Sequence, residues 1–153
     1  MNFIPQTLLS KKLQKFIYIS NNDFIDNRPV VIIDSASEIH IKKKDYGEVI
    51  GYICKILQES LKLSSNPEYK QFCIMVQLKH FKKCKIGLGF AIALAKILKV
   101  MFVDTMYKCY LIDPPLLFKS MFQVIKPFID KETRPKLALI KNGENVSYNE
   151  LYD

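Results

Sequence analysis

The chain has 153 residues, 49% hydrophobic and 25% charged, with no internal repeat and no low-complexity tract. That is enough for one globular domain with a real core, and it excludes disordered and fibrous classes. The net charge of +8 comes almost wholly from lysine, the arginines being Arg28 and Arg134. Such an excess attracts polyanions, and lysine suits diffuse attraction to anionic headgroups better than the bidentate base reading of arginine; it also serves plain solubility.

The start, MNFIPQTLLSKKLQKF, places its lysines after the apolar residues, the reverse of a secretory signal. Thr7–Lys15 reads as a short helix with Leu8, Leu9, Leu13 and Phe16 on one side, and Phe16–Ser20 as a strand. Asn21-Asn22-Asp23 and Asp26-Asn27 read as turns. Arg28–Asp34 is the first strong strand, its VVII run fitting a strand buried on both faces. Ser35–Lys44 reads as a polar connection whose Lys42-Lys43-Lys44 is either a solvated loop or a phosphate contact. Asp45 caps a helix to about Leu63, with Val49, Tyr52, Ile53, Ile56 and Leu57 on one buried face, and Ser64-Ser65-Asn66-Pro67 ends it.

Phe72–Leu78 is the next strand, followed by the basic run Lys79–Lys85. Ile86–Val103 is apolar enough to resemble a membrane span, but Lys96 and Lys99 interrupt it. Each would cost about 2.5–3.5 kcal/mol near the middle of a bilayer, so a buried helix packed on a sheet is expected instead. Strands alternating with helices in this way predict an α/β layer fold.

Tyr107–Ile140 is the most informative stretch. A short strand, Tyr107–Ile112, is stopped by Asp113-Pro114-Pro115, since proline has no N–H for the ladder. A helix comes next, and Lys136–Ile140 is a second strand; a crossover of this length joins parallel neighbours. The helix is apolar around most of its circumference, from Leu116 to Ile129, with a thin polar margin at Lys119, Ser120, Gln123 and Lys126. It is either buried between two layers or a lid that covers a cavity with one face and meets a membrane with the other. Pro127 ends it or hinges it.

No catalytic constellation is present: His40 and His80 are far apart in the chain, and there is no GxSxG, Walker loop or complete GxGxxG. Cys54, Cys73, Cys84 and Cys109 form no CxxC and have no histidine at metal spacing, so neither a disulfide framework nor a metal site is expected, and a reducing, cytoplasmic setting is.

Taken in order, YLIDPP, LLFKSMFQVI, KPFID, Thr133 and Lys136 resemble the C-terminal half of a CRAL-TRIO lipid-binding domain. That family reads YIINAP, an aromatic-rich gate helix, KPFLD, a threonine, and a lysine opening the next strand. NRPVVIID at Asn27–Asp34 is similar to the family's GRPV strand, and the resemblance spans roughly Phe16 to Ile140. Phe102-Val103-Asp104-Thr105 departs from the family's Tyr-Pro-Glu-Arg, and KNGENVSYNELYD departs from its usual close.

The resemblance implies an α/β fold: a mainly parallel mixed sheet flanked by helices, with a lid helix over an apolar lipid cavity. It implies one domain over residues 1–153, in a minimal form without the family's N-terminal helical lobe, so that a homodimer is one way to cover the back of the sheet. In the phosphatidylinositol-transfer branch an acid, a threonine and a lysine hold the headgroup; they match Asp104, Thr133 and Lys136. Phe118, Met121, Phe122 and Ile125 are then the lid residues, and Val76, Leu78, Tyr110 and Ile112 belong to the cavity floor. On the lid reading, Phe122→Asp abolishes transfer with little change in stability.

The implied function is non-enzymatic and needs no cofactor. The protein binds a single phospholipid, phosphatidylinositol or a phosphoinositide, and moves it between membranes, touching anionic membrane surfaces transiently from the cytoplasm. The alternatives are a binder of an isoprenoid-type molecule and a basic membrane or protein adaptor without a lipid cavity. Nucleic acid is not an expected partner, because the basic residues are scattered and lack an aromatic-basic motif.

Overall fold

A computed structural model describes residues 8–35, 39–65, 68, 70–81, 85–102 and 104–146. The sequence readings that fall on residues 1–7, 36–38, 66–67, 82–84, 103 and 147–153 lie outside the described residues. The V/I-rich runs form the centre: β2 (Arg28–Asp34), β4 (Phe72–Gln77), β6 (Met106–Ile112) and β7 (Leu137–Lys141) are mutually parallel. β1 (Ile17–Ile25) and β8 (Glu144–Val146) close the two edges antiparallel, in the order β1-β2-β4-β6-β7-β8.

Each antiparallel edge is made by a two-residue turn with positive φ. Asp26 and Asn27 (49° and 64°) join β1 to β2, and Asn142 and Gly143 (51° and 80°) join β7 to β8. Asp, Asn and Gly tolerate that region, which matches the twist of the flanking strands. Asn21-Asn22-Asp23 is not a turn: β1 runs through it, with a register irregularity between Ile19 and Phe24 that absorbs the polar residues.

Ser35–Lys44 is more than a connection. β3 (His40–Ile41) pairs in parallel with β5 (Lys85–Ile86), and a 3-10 turn covers Lys43–Asp45. Asp45 stands at the N-cap of α2 (Tyr46–Leu61) without a side-chain cap bond; its carboxylate accepts from the Lys42 backbone N–H at 3.3 Å.

α1 (Leu8–Phe16), α2, α3 (Leu88–Met101) and α4 (Leu116–Ile125) supply Leu13 and Phe16, then Val49, Ile53 and Leu57, then Phe90, then Phe118 and Phe122 to one buried cluster. The sheet contributes Val31, Ile74, Cys109, Leu111, Leu137 and Leu139 to it. By strand alternation these sheet residues share one face. The opposite face carries a register row Tyr18, Ile32, Met75, Tyr110, Ala138, of which Tyr18 is exposed and the rest half-buried.

α3 is not the buried helix its composition predicts. Phe90 is its buried residue, while Ile97, Met101 and above all Val100, 80% exposed, face outward. Its start packs on α2: Phe90 meets Tyr46 edge-on at 5.4 Å, and a Cβ at Gly89 would lie 3.3 Å from the Tyr46 hydroxyl. Among the described residues no helix is long and apolar enough to cross a membrane.

The parallel strands share an N-terminal edge, knitted by Arg28. Its Nε donates to Gln71 Oε1 and its Nη1 to the Asp26 carbonyl, both at 2.9 Å, while the guanidinium lies 3.6 Å from the centre of the Tyr107 ring. The Tyr107 hydroxyl donates to Asp26 Oδ2 at 3.2 Å, and Gln71 Nε2 to the Asp104 carbonyl at 3.2 Å. Arg28→Ala removes the stack and strands Gln71 Oε1, so a loss of about 2–4 kcal/mol is expected in urea unfolding. A loss under about 0.5 kcal/mol, the usual range for a surface change, would show that the network does not hold the strand ends together.

Candidate functional site

A cavity of about 220 Å³ lies between the core-side face of the sheet, α3 and the segment after α4. Ile33, Ile74, Val76 and Leu137 form its floor, and Leu94, Ala95 and Leu98 of α3 form one wall. Phe128 and Ile129 form the other. The floor stays uncharged even at Cys109, whose thiol is pushed up to about 12 by burial and secondarily by Cys73.

The second wall is a built turn. Pro127 does not kink a long helix; α4 ends at Ile125 and a 3-10 turn covers Lys126–Phe128. Arg134 staples this turn from its C-terminal side, Nε donating to the Ile129 carbonyl at 3.1 Å and Nη2 to the Lys126 carbonyl at 3.4 Å. Across the gap, the Lys96 ammonium sits 5.3 Å from the centre of the Phe128 ring.

The polar groups of the lining are Lys99, Asp130, Thr133 and Lys136. Asp130 Oδ1 accepts from the Thr133 backbone N–H at 2.9 Å. Its carboxyl is held below the usual range, first by the Thr133 side chain, then by that backbone bond and by the charges of Lys99 and Lys136. It therefore keeps its negative charge through the mildly acidic range.

The expected site residues divide on this geometry. Thr133 and Lys136 line the cavity, and so does Val76. Asp104 is exposed in the turn before β6 and outside the lining. Tyr110 and Ile112 are corrected by one step of strand parity: Cys109 faces the cavity, so Tyr110 and Ile112 point to the opposite face of the sheet. Leu78 is buried at the far end of β4, in the core and outside the lining.

The lid residues also sit elsewhere. Phe118, Phe122 and Ile125 are buried and Met121 is packed against the core, but none of the four lines the cavity. Phe118 stacks edge-on against Phe81 at 5.6 Å. The outward face of α4 is instead Leu116, 84% exposed, with Leu117 and Val124. Sequence reasoning missed two polar residues of the lining, Lys99 and Asp130. The signal for Lys99 was available: Ala95, Leu98, Lys99 and Phe102 recur at helical spacing, and all four border the cavity.

An apolar cavity floored by a mostly parallel sheet and fringed by a few charged side chains has the form of a small-molecule binding pocket. The chain belongs to the CRAL/TRIO domain family, whose model matches residues 12–152. Binding and carrying lipophilic ligands is the work of that family. The fold is also that of a solved structure titled "Crystal structure of Sfh5", with a TM-score of 0.67 at 15% identity over 88% of this chain. The match covers 52% of that longer chain, so this chain corresponds to about half of it. No curated protein sequence matches.

Proposed function

We propose that the protein carries one phospholipid, phosphatidylinositol or a phosphoinositide, between membranes, with acyl chain in the cavity and headgroup at Thr133 and Lys136. The observation that supports this most is the cavity's own gradient, from an apolar floor at Ile74 and Val76 to an ammonium and a hydroxyl beside it. A phosphodiester needs such donors, and each buried methylene adds about 0.8 kcal/mol. The protein replaces the bilayer as solvent for the chain and makes or breaks no bond.

Membrane docking falls to the outward faces of α3 and α4. Ile97, Val100 and Met101 on one and Leu116, Leu117 and Val124 on the other are exposed apolar residues, and neither helix contains an acidic residue. Apolar side chains among lysines fit a shallow contact with an anionic surface.

The cavity's volume favours a second reading. About 220 Å³ is below the ~300–1,000 Å³ of pockets that enclose drug-sized ligands, so a single-chain or isoprenoid molecule fits with less rearrangement. A two-chain phospholipid requires α3 and residues 126–136 to separate from one another.

Native mass spectrometry of the purified chain with lipid extraction tests the proposal: one phospholipid per protein is expected. Lys136→Ala should lower inositol-lipid transfer about ten- to a hundredfold, the worth of a hydrogen bond to a charged group. Asp104→Ala should do less, because water replaces an exposed contact. A stable protein that extracts no lipid from vesicles would leave the adaptor reading in its place.

A further inference from the structure

We infer that Lys99 is a ligand of the headgroup phosphate, and that with Lys136 and Asp130 it selects singly anionic phosphodiester headgroups. The inference rests on the phospholipid-carrying function proposed above and names the ligand class of that site.

Lys99 reaches the cavity from the face of α3 that lines it. Ala95, one turn earlier, and Leu98 beside it are apolar wall, so the Lys99 stem continues that wall and its ammonium ends it. Lys96, one turn away around the helix, is outside the lining and lies over Phe128. The two lysines that read in sequence as equivalent interruptions of an apolar run therefore have different positions.

The opposite wall supplies Asp130, Thr133 and Lys136. Lys99 on one wall and Lys136 on the other line the same cavity as Asp130, and the charges of both help to hold its carboxyl below the usual range. By formal charge, the lining carries two ammonium groups and one carboxylate, an excess of one positive charge. One phosphodiester monoanion neutralises it. A choline headgroup brings its own cation to the same place and leaves the excess uncompensated. Lysine ammonium groups act as point charges and need no bidentate geometry, which suits a diester with two free oxygens. A phosphate held by Lys99 and Lys136 also bridges α3 to the start of β7, so ligand binding ties the two walls together.

The test offers the full chain vesicles of phosphatidylinositol, phosphatidylglycerol and phosphatidylcholine in equal proportions, and measures the lipid on the re-isolated protein. The wild type should be enriched in both anionic lipids. Lys99→Met should lower the anionic-to-choline ratio about tenfold, by loss of a charged hydrogen-bond donor. Lys99→Arg should keep most of the preference, and Lys55→Met, which removes an equal charge from the exposed surface of α2, should keep all of it. An unchanged ratio in Lys99→Met, with normal total lipid, overturns the assignment of Lys99 and leaves the lipid-carrying function standing. A fall in total lipid at constant ratio, matched by weaker vesicle association, overturns it in favour of a docking role. A wild type enriched in phosphatidylcholine overturns the charge argument. A wild type that takes up no lipid of any class fails at the earlier step and removes the function itself.

Discussion

Phe122→Asp is expected to destabilise the protein by about 3–5 kcal/mol, the range for losing a buried aromatic ring, with the burial of a carboxylate adding to it. Phe122 is 3% exposed, its ring centre is 6.0 Å from that of Phe118, and Phe118 in turn packs on Phe81. The expectation drawn from sequence, that this substitution would spare the fold and stop transfer, is replaced by a stability effect. Val124→Asp provides the contrast. Val124 is 49% exposed on the same helix, so unfolding should change by no more than about 0.5 kcal/mol. Its effect should appear in vesicle association, together with a steep fall in binding as salt screens the lysines. Urea unfolding and vesicle co-sedimentation separate the two. Equal stability of Phe122→Asp and wild type would mean that α4 does not seat Phe122 in the core.

Ala95→Trp should stop lipid loading while leaving the fold intact. Ala95 borders the cavity from α3, and an indole directed into about 220 Å³ of apolar space takes the room of the ligand's chain. Displacing roughly three methylenes, at about 0.8 kcal/mol each, lowers affinity by ~2.4 kcal/mol, on the order of fiftyfold. The indole gains the contacts that an unfilled cavity lacks, so the melting temperature should hold or rise. A loss of about 1–3 kcal/mol would mean that the indole overpacks the site. Native-state lipid content and a thermal melt on the same sample give both readouts. Undiminished loading in a well-folded variant would place the ligand outside this cavity.

The central strands were legible because each is a local property. Val30–Ile33, Phe72–Val76 and Leu137–Ile140 are short branched or apolar runs bounded by turn formers, and nothing distant is needed to recognise them. The turn at Asp26-Asn27 was legible for the same reason, since its positive φ is a preference of those two residues. Asn21-Asn22-Asp23 carries similar residues and stays in a strand, because pairing with β2 on both sides of the irregularity outweighs local turn preference. β3 and β5 are two residues each and exist only through each other, so no window of sequence around either one contains the signal.

The candidate site divides along the same line. Thr133 and Lys136 could be placed from sequence, because they sit at fixed offsets from KPFID on one continuous turn. Tyr110, Ile112 and the α4 residues could not, because which face of a strand or helix meets the cavity depends on where the other elements pack.

Sequence by itself determined the layer architecture, the parallel crossover from β6 to β7, and the presence of an ammonium and a hydroxyl where β7 begins. All three come from short-range periodicity, turn chemistry and motif order. The tertiary structure decided that the main buried cluster lies on one face of the sheet, that α4 turns Phe118 and Phe122 into it, and that α3 brings Lys99 to the cavity that Lys136 also lines. Thirty-six residues separate those lysines in the chain. What brings them together is the burial of apolar surface by α3 and the sheet, and that depends on the whole set of contacts rather than on any local stretch.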